Sequence, residues 1–185
     1  MSHGFEIENK ATATPVLPVT GVLGLAARLL GYINRSVLFV SMLALLAACA
    51  ILTASVVLRY FLHIPTDWQD EAAVFLLVGA TFLCGAHVQA LRGHIGIEAV
   101  AGLLPDGINR ARIVFCDFAS AAFCGFFTWK SWTLFHEAFT DGQTTSSSWA
   151  PPLAIPYGLM AAGMTLLTLQ LLLQLVMHFN REPRT

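Results

Sequence analysis

Four apolar runs set the terms for this chain: about residues 36–58, 72–91, 113–135 and 152–179, joined by links too short to fold alone. A hydrocarbon core about 30 Å thick needs roughly twenty apolar helical residues per crossing, so each run is long enough to span. The runs are continuous rather than alternating, which argues against strands, and a membrane barrel needs about eight or more short alternating segments. With 56% hydrophobic and only 11% charged residues, against about 25% charged in a soluble domain, little of the chain remains for water. The expectation is an all-α membrane protein with four transmembrane helices.

The positive residues orient it. Lys10, Arg28 and Arg35 precede the first run; Arg92, Arg110 and Arg112 lie between the second and third; Arg181 and Arg184 follow the fourth. The alternate side holds Arg59 and Lys130 with Asp67, Asp70, Glu71, Glu137 and Asp141. Lys and Arg accumulate on the cytoplasmic side, so both termini are expected in the cytoplasm. Tyr60, Trp68, Trp129, Trp132, Trp149 and Tyr157 all fall near the opposite, outer interface, where amphipathic rings settle. Residues 1–20 are polar, with Glu6, Glu8, Pro15 and Pro18; they are expected to be a disordered cytoplasmic segment and not a cleaved signal. Residues 21–35 are apolar apart from Arg28 and Arg35 and too short to span, so a short amphipathic helix along the cytoplasmic interface is expected before the first span. Residues 36–179 form the transmembrane domain and 180–185 a cytoplasmic tail.

The second run carries most of the detail. Trp68, Asp70 and Glu71 stand where its helix enters the bilayer, and Arg92 and His94 where it leaves, depths at which charges reach water. Ala72, Gly79, Ala86 and Gly93 recur at every seventh position, a stripe along which another helix can approach closely. Arg59, Trp68, Glu71, Arg92, His94 and Trp149 are candidates for lipid or partner contact, the arginines through phosphate or carboxylate. Glu71 alternatively caps the start of its helix. Matched depth suggests two ion pairs joining spans two and three, Asp117 with Arg92 or His94, and Lys130 with Glu71. Asp67 and Asp70 are candidates for orienting a soluble partner on the outer face. Pro156, beside Pro151 and Pro152, implies that the last helix starts further in than Pro152 or bends just after its start.

No phosphate loop, partnered nucleophile or metal-ligand set is present, so neither catalysis nor a cofactor is expected, and nothing suggests nucleic-acid binding. Cys49, Cys84, Cys116 and Cys124 all lie within runs, with no CxxC spacing, which disfavours a four-span thiol oxidoreductase. His87 is an intramembrane ionisable group and so a candidate haem ligand or proton relay, but His63, His94, His136 and His178 sit at or beyond span ends. A haem- or quinone-binding anchor subunit of a respiratory complex is the alternative reading.

Arg59-Tyr60-Phe61, Trp68-Gln69-Asp70-Glu71, Gly85-Ala86, Arg92-Gly93-His94-Ile95, Trp149-Ala150-Pro151-Pro152 and Ile155-Pro156-Tyr157-Gly158 follow one another in fixed order. In these the chain resembles the small membrane subunit of tripartite ATP-independent periplasmic (TRAP) transporters, the four-helix family that includes the C4-dicarboxylate small permease. The likeness covers roughly residues 28–179 and departs at Ser146 to Ser148, where a more apolar residue and another proline would precede the tryptophan. It implies a scaffold subunit in the bacterial inner membrane. The expected partners are membrane lipids, a large many-helix elevator-type TRAP membrane subunit, and an extracytoplasmic substrate-binding protein. Uptake of organic acids would be driven by an ion gradient, by analogy sodium.

Overall fold

The computed structural model describes residues 22–63, 65–91 and 106–179. These form four helices, α1 (Val22–Leu62), α2 (Asp67–Ala90), α3 (Asp106–Thr140) and α4 (Ala154–Phe179). Among the described residues, α1, α2 and α4 are each long and apolar enough to cross a membrane. The 35-residue α3 carries Asp117 and Lys130 within its apolar stretch.

Residues 21–35 are not set apart as expected. From Val22 onward they are the first part of α1, which runs for 41 residues without a break. Arg28 and Arg35 interrupt the hydrophobicity and not the backbone, because arginine is a good helix former. At a rise of about 1.5 Å per residue, α1 is about twice as long as the hydrocarbon core is thick.

The helices pack in the spatial order α1, α2, α4, α3, with a lighter contact between α1 and α4. On α1 the buried residues Asn34, Ser41, Ala48 and Ser55 recur at every seventh position, with half-buried Val37, Ala44, Ile51 and Leu58 between them. That is a heptad seam, the pattern of a left-handed antiparallel pair. The Ser55 hydroxyl bonds Thr66 Oγ1 at 2.8 Å. Stepping seven residues away from that bond, in opposite directions on the two helices, brings Ala48 level with Ala73 and Ser41 level with Ala80, all buried. Small residues on both sides let the backbones close in.

The opposite flank of α2 meets α4. Gly79 and Ala86 of the predicted stripe are buried there, whereas Ala72 is half-buried and Gly93 lies outside the described residues. A Cβ on Gly79 would lie 3.0 Å from Leu159 Cδ1, and one on Gly163 would lie 2.5 Å from the backbone carbonyl of Phe82. The second approach tolerates no side chain at all.

The helix ends follow from local chemistry. Gly142, at φ +61, takes the left-handed position after α3 while the Gln143 N–H donates back to the Ala138 carbonyl at 3.1 Å, a Schellman closure. His63 ends α1 at φ 54, a conformation in which histidine is enriched among non-glycine residues. Helix α4 begins at Ala154, so Pro156 falls in its first turn, where the missing N–H needs no partner.

Replacing Gly163 with alanine is expected to destabilise the protein by about 1–3 kcal/mol through overpacking. The same change at Gly85, where a Cβ meets nothing within 4 Å, should shift stability by about 0.5 kcal/mol or less. Unfolding titrations of both variants in mixed detergent micelles compare them directly.

Candidate functional site

The turn between α1 and α2 holds the densest polar cluster among the described residues. The Arg59 guanidinium sits on the last turn of α1. Its Nη2 donates to Asp70 Oδ2 at 2.7 Å and to Thr66 Oγ1 at 2.9 Å, and its Nε donates to Thr66 Oγ1 at 3.3 Å. The Ser55 hydroxyl, with one proton to give, lies between Thr66 Oγ1 and Asp70 Oδ1, the latter at 3.1 Å. Thr66 occupies the cap position of α2, yet its side chain bonds no α2 N–H; it is turned toward α1 instead.

Burial decides which of these bonds matters most. Arg59 and Asp70 side chains are 58% and 46% exposed, and an exposed ion pair contributes about 0–1 kcal/mol. Ser55 and Thr66 are 1% and 2% exposed, so a group left unpaired there could not return to water and would cost about 1–3 kcal/mol. The hydroxyl pair fixes the turn, and the ion pair covers it. Asp67 and Asp70 in the first turn of α2 also suit the positive end of the helix dipole.

The α3–α4 link folds back on itself beside this corner. Thr144 pairs with Pro152 in an isolated antiparallel bridge, with the Leu153 N–H donating to the Gln143 carbonyl at 2.9 Å and the Thr145 N–H to the Pro151 carbonyl at 3.1 Å. Trp149 meets Trp68 edge to face at 6.3 Å between ring centroids. Two sequence candidates thus touch each other and tie the loop to the start of α2.

Further along, α4 bonds every neighbour in turn. Thr165 Oγ1 accepts from Trp132 Nε1 at 3.0 Å, and the Thr168 and Thr128 hydroxyls lie 2.9 Å apart. Gln170 Oε1 accepts from Asn34 Nδ2 of α1 at 3.1 Å. Gln174 Oε1 accepts from Gln89 Nε2 at 2.9 Å, while Gln174 Nε2 donates to the Gln89 main-chain carbonyl at 2.9 Å, so the two residues are joined in both directions at the end of α2. Interhelical bonds of this kind average about 0.6 kcal/mol in a membrane, with a maximum near 1.7.

The expected ionic staples between spans two and three need correction. Helix α4 stands between α2 and α3, and no ion pair joins Lys130 to Glu71. Lys130 is exposed, with its ammonium 5.0 Å above the Trp129 ring; Glu71 Oε2 is buried without a hydrogen-bond partner among the described residues. Matched depth did not bring them together because a helix lies in the way. Asp117 is half-buried on α3, and its proposed partners Arg92 and His94 lie outside the described residues. Among the described residues no group of three or more His, Cys, Asp or Glu is placed to hold a metal ion.

Sequence reading singled out Gln89 but not its partner Gln174, nor Asn34, Gln170, Thr66 or Gly163. A signal existed for some of them, since an amide in an apolar run seeks a partner, but nothing linear says which helix supplies it.

Thr66→Val is expected to lower stability by about 1–3 kcal/mol, whereas Asp70→Asn, whose exposed partner is rehydrated, costs about 1 kcal/mol or less. High salt should erase the second effect and spare the first, as detergent unfolding at low and high ionic strength will show.

No curated protein matches the chain. A family model does: tripartite ATP-independent periplasmic transporters, DctQ component, over residues 48–181, well over half of the 185 residues. The match begins inside α1 and takes in the Ser55–Thr66 corner, the α3–α4 link and all of α4. The resemblance drawn from the ordered motifs is thereby borne out: this chain belongs to the DctQ component family of tripartite ATP-independent periplasmic transporters, and is a transporter component and not an enzyme.

Proposed function

We propose that this chain is the small scaffold subunit of a secondary active transporter for organic acids, driven by a sodium gradient. It pairs with a large elevator-type membrane subunit and is served by an extracytoplasmic binding protein. Family membership carries this reading over that of a haem- or quinone-binding anchor. The architecture supports it: a moving transport domain needs a frame that does not yield, and every seam here carries a hydrogen bond between helices, with a backbone-close approach at α2–α4. Hydrogen bonds between helices within the hydrocarbon core, where water does not compete for them, resist sliding of one helix past another.

In this reading the protein crosses the bacterial inner membrane four times with both termini inside. The distribution of arginine and lysine supports the orientation, as does the gathering of Tyr60, Trp68 and Trp149 at the end opposite Arg28 and Arg35. The first part of α1 then lies in the cytoplasmic headgroup region, its arginines reaching phosphate. Exposed Asp67, Glu137 and Asp141 give the outer end an acidic rim that orients the binding protein by charge. Asp70 contributes less to it, because Arg59 neutralises it.

On a background in which the four native cysteines are alanine, Ser146→Cys should react with a membrane-impermeant maleimide in intact spheroplasts, and Arg184→Cys only after permeabilisation. Labelling of both from outside would refute the orientation. Affinity purification of the chain in mild detergent should bring down a many-helix membrane protein, and the reconstituted pair with its binding protein should take up organic acid only when an inward sodium gradient is imposed.

A further inference from the structure

Beside the Arg59 cluster lies a shallow open cleft lined by Arg59, His63, Pro65, Thr66 and Asp67. Its charges are not used up by the fold. A guanidinium carries five N–H donors; Arg59 commits Nε and Nη2 to Thr66, Asp70 and Ser55, which leaves the two N–H groups of Nη1. The Asp67 carboxylate is exposed and takes part in no hydrogen bond or ion pair among the described residues. The cleft therefore offers one free pair of donors and one free carboxylate side by side, with the exposed imidazole of His63 on its rim.

Its position restricts the ligand. Tyr60 and Trp68, the chain neighbours of Arg59 and Asp67, are exposed, and such rings settle at headgroup depth. On the membrane-spanning reading proposed above, the cleft opens at the level of phospholipid headgroups. The charge balance restricts it further. Arg59 and Asp70 cancel, and Asp67 adds a negative charge, so a ligand that is only anionic meets repulsion. A ligand with both a phosphate and an amine finds a partner for each.

We propose that this cleft binds the headgroup of a zwitterionic aminophospholipid, phosphatidylethanolamine in chemical class, with the phosphate on Arg59 Nη1 and the ammonium on Asp67. A choline headgroup carries the same charges but no N–H donors, so it forfeits the charge-assisted hydrogen bond to Asp67. A glycerol headgroup supplies no cation at all. The order of preference is ethanolamine, then choline, then glycerol. With its charge met in this way, Asp67 is withdrawn from the acidic rim, leaving Glu137 and Asp141 to the soluble partner.

The full chain is reconstituted into vesicles containing equal parts of phosphatidylethanolamine, phosphatidylcholine and phosphatidylglycerol, re-extracted in mild detergent, and the retained lipids are weighed by native mass spectrometry. Wild type should retain the ethanolamine lipid over the choline lipid by roughly tenfold or more, the span of one hydrogen bond to a charged group. Asp67→Asn should abolish that preference and Asp67→Glu should keep it. Equal retention of the three lipids by wild type, or an unchanged preference in Asp67→Asn, overturns the proposal. Excess soluble glycerophosphoethanolamine should leave the bound lipid in place; displacement would make a water-soluble phosphoamine the ligand and overturn the lipid assignment. Resistance of the same vesicles to carbonate extraction reports on membrane insertion separately, so a failed headgroup contact is not mistaken for a failed spanning reading.

Discussion

The contact between Gly163 and the main chain of Phe82 sets the distance between α2 and α4, and the remaining seams are built on that distance. With α4 held this close, Gln174 reaches both the side chain and the main-chain carbonyl of Gln89. Helix α4 in turn fixes α3 through Thr165 and Thr168, and Gly158 leaves room for the Phe135 ring, 3.1 Å from where a Cβ would stand. Inside a bilayer, lipid tails are as apolar as leucine, so burial of apolar surface does little to draw helices together. Shape at closest approach and hydrogen bonds across the gap are what remain, and both are concentrated on α4.

The α1–α2 pair solves the same problem differently. Its small residues Ser41, Ala48 and Ser55 against Ala73 and Ala80 close the gap, and the hydroxyl pair at the α1–α2 turn sets the register. A slip by one residue would bury Val56 or Ala54 where Ser55 belongs and leave Thr66 facing a methyl group. A buried polar pair that stabilises modestly when made, and costs much when broken, defines alignment better than it adds stability.

Much of this was legible in the chain and some was not, for physical reasons. The positions and ends of the apolar helices follow from hydropathy and from glycine and proline chemistry, and the stripe at Gly79 and Ala86 announced a close approach. The neighbour across that stripe was not announced, because periodicity gives the direction a face points on its own helix and nothing of what stands opposite. Pairing Lys130 with Glu71 by depth failed on that ground: depth is one coordinate, and helix order supplies the second. The continuity of α1 was hidden by reading charge as a boundary. Gly163 was hidden because one glycine in a run of Ala, Met and Leu has no pattern to stand out from.

The stripes that stay open have a consequence for inheritance of defects. On α2, Asp67, Val74, Thr81 and Val88 are exposed at every seventh residue, and on α4 so are Ile155, Ala162, Leu169 and Val176. A row of helices with so little interior divides its surface cleanly between what the chain needs for itself and what others need from it. Random mutagenesis should therefore yield two separable classes of loss: seam variants that never accumulate in the membrane, and stripe variants that accumulate normally yet leave the transporter silent.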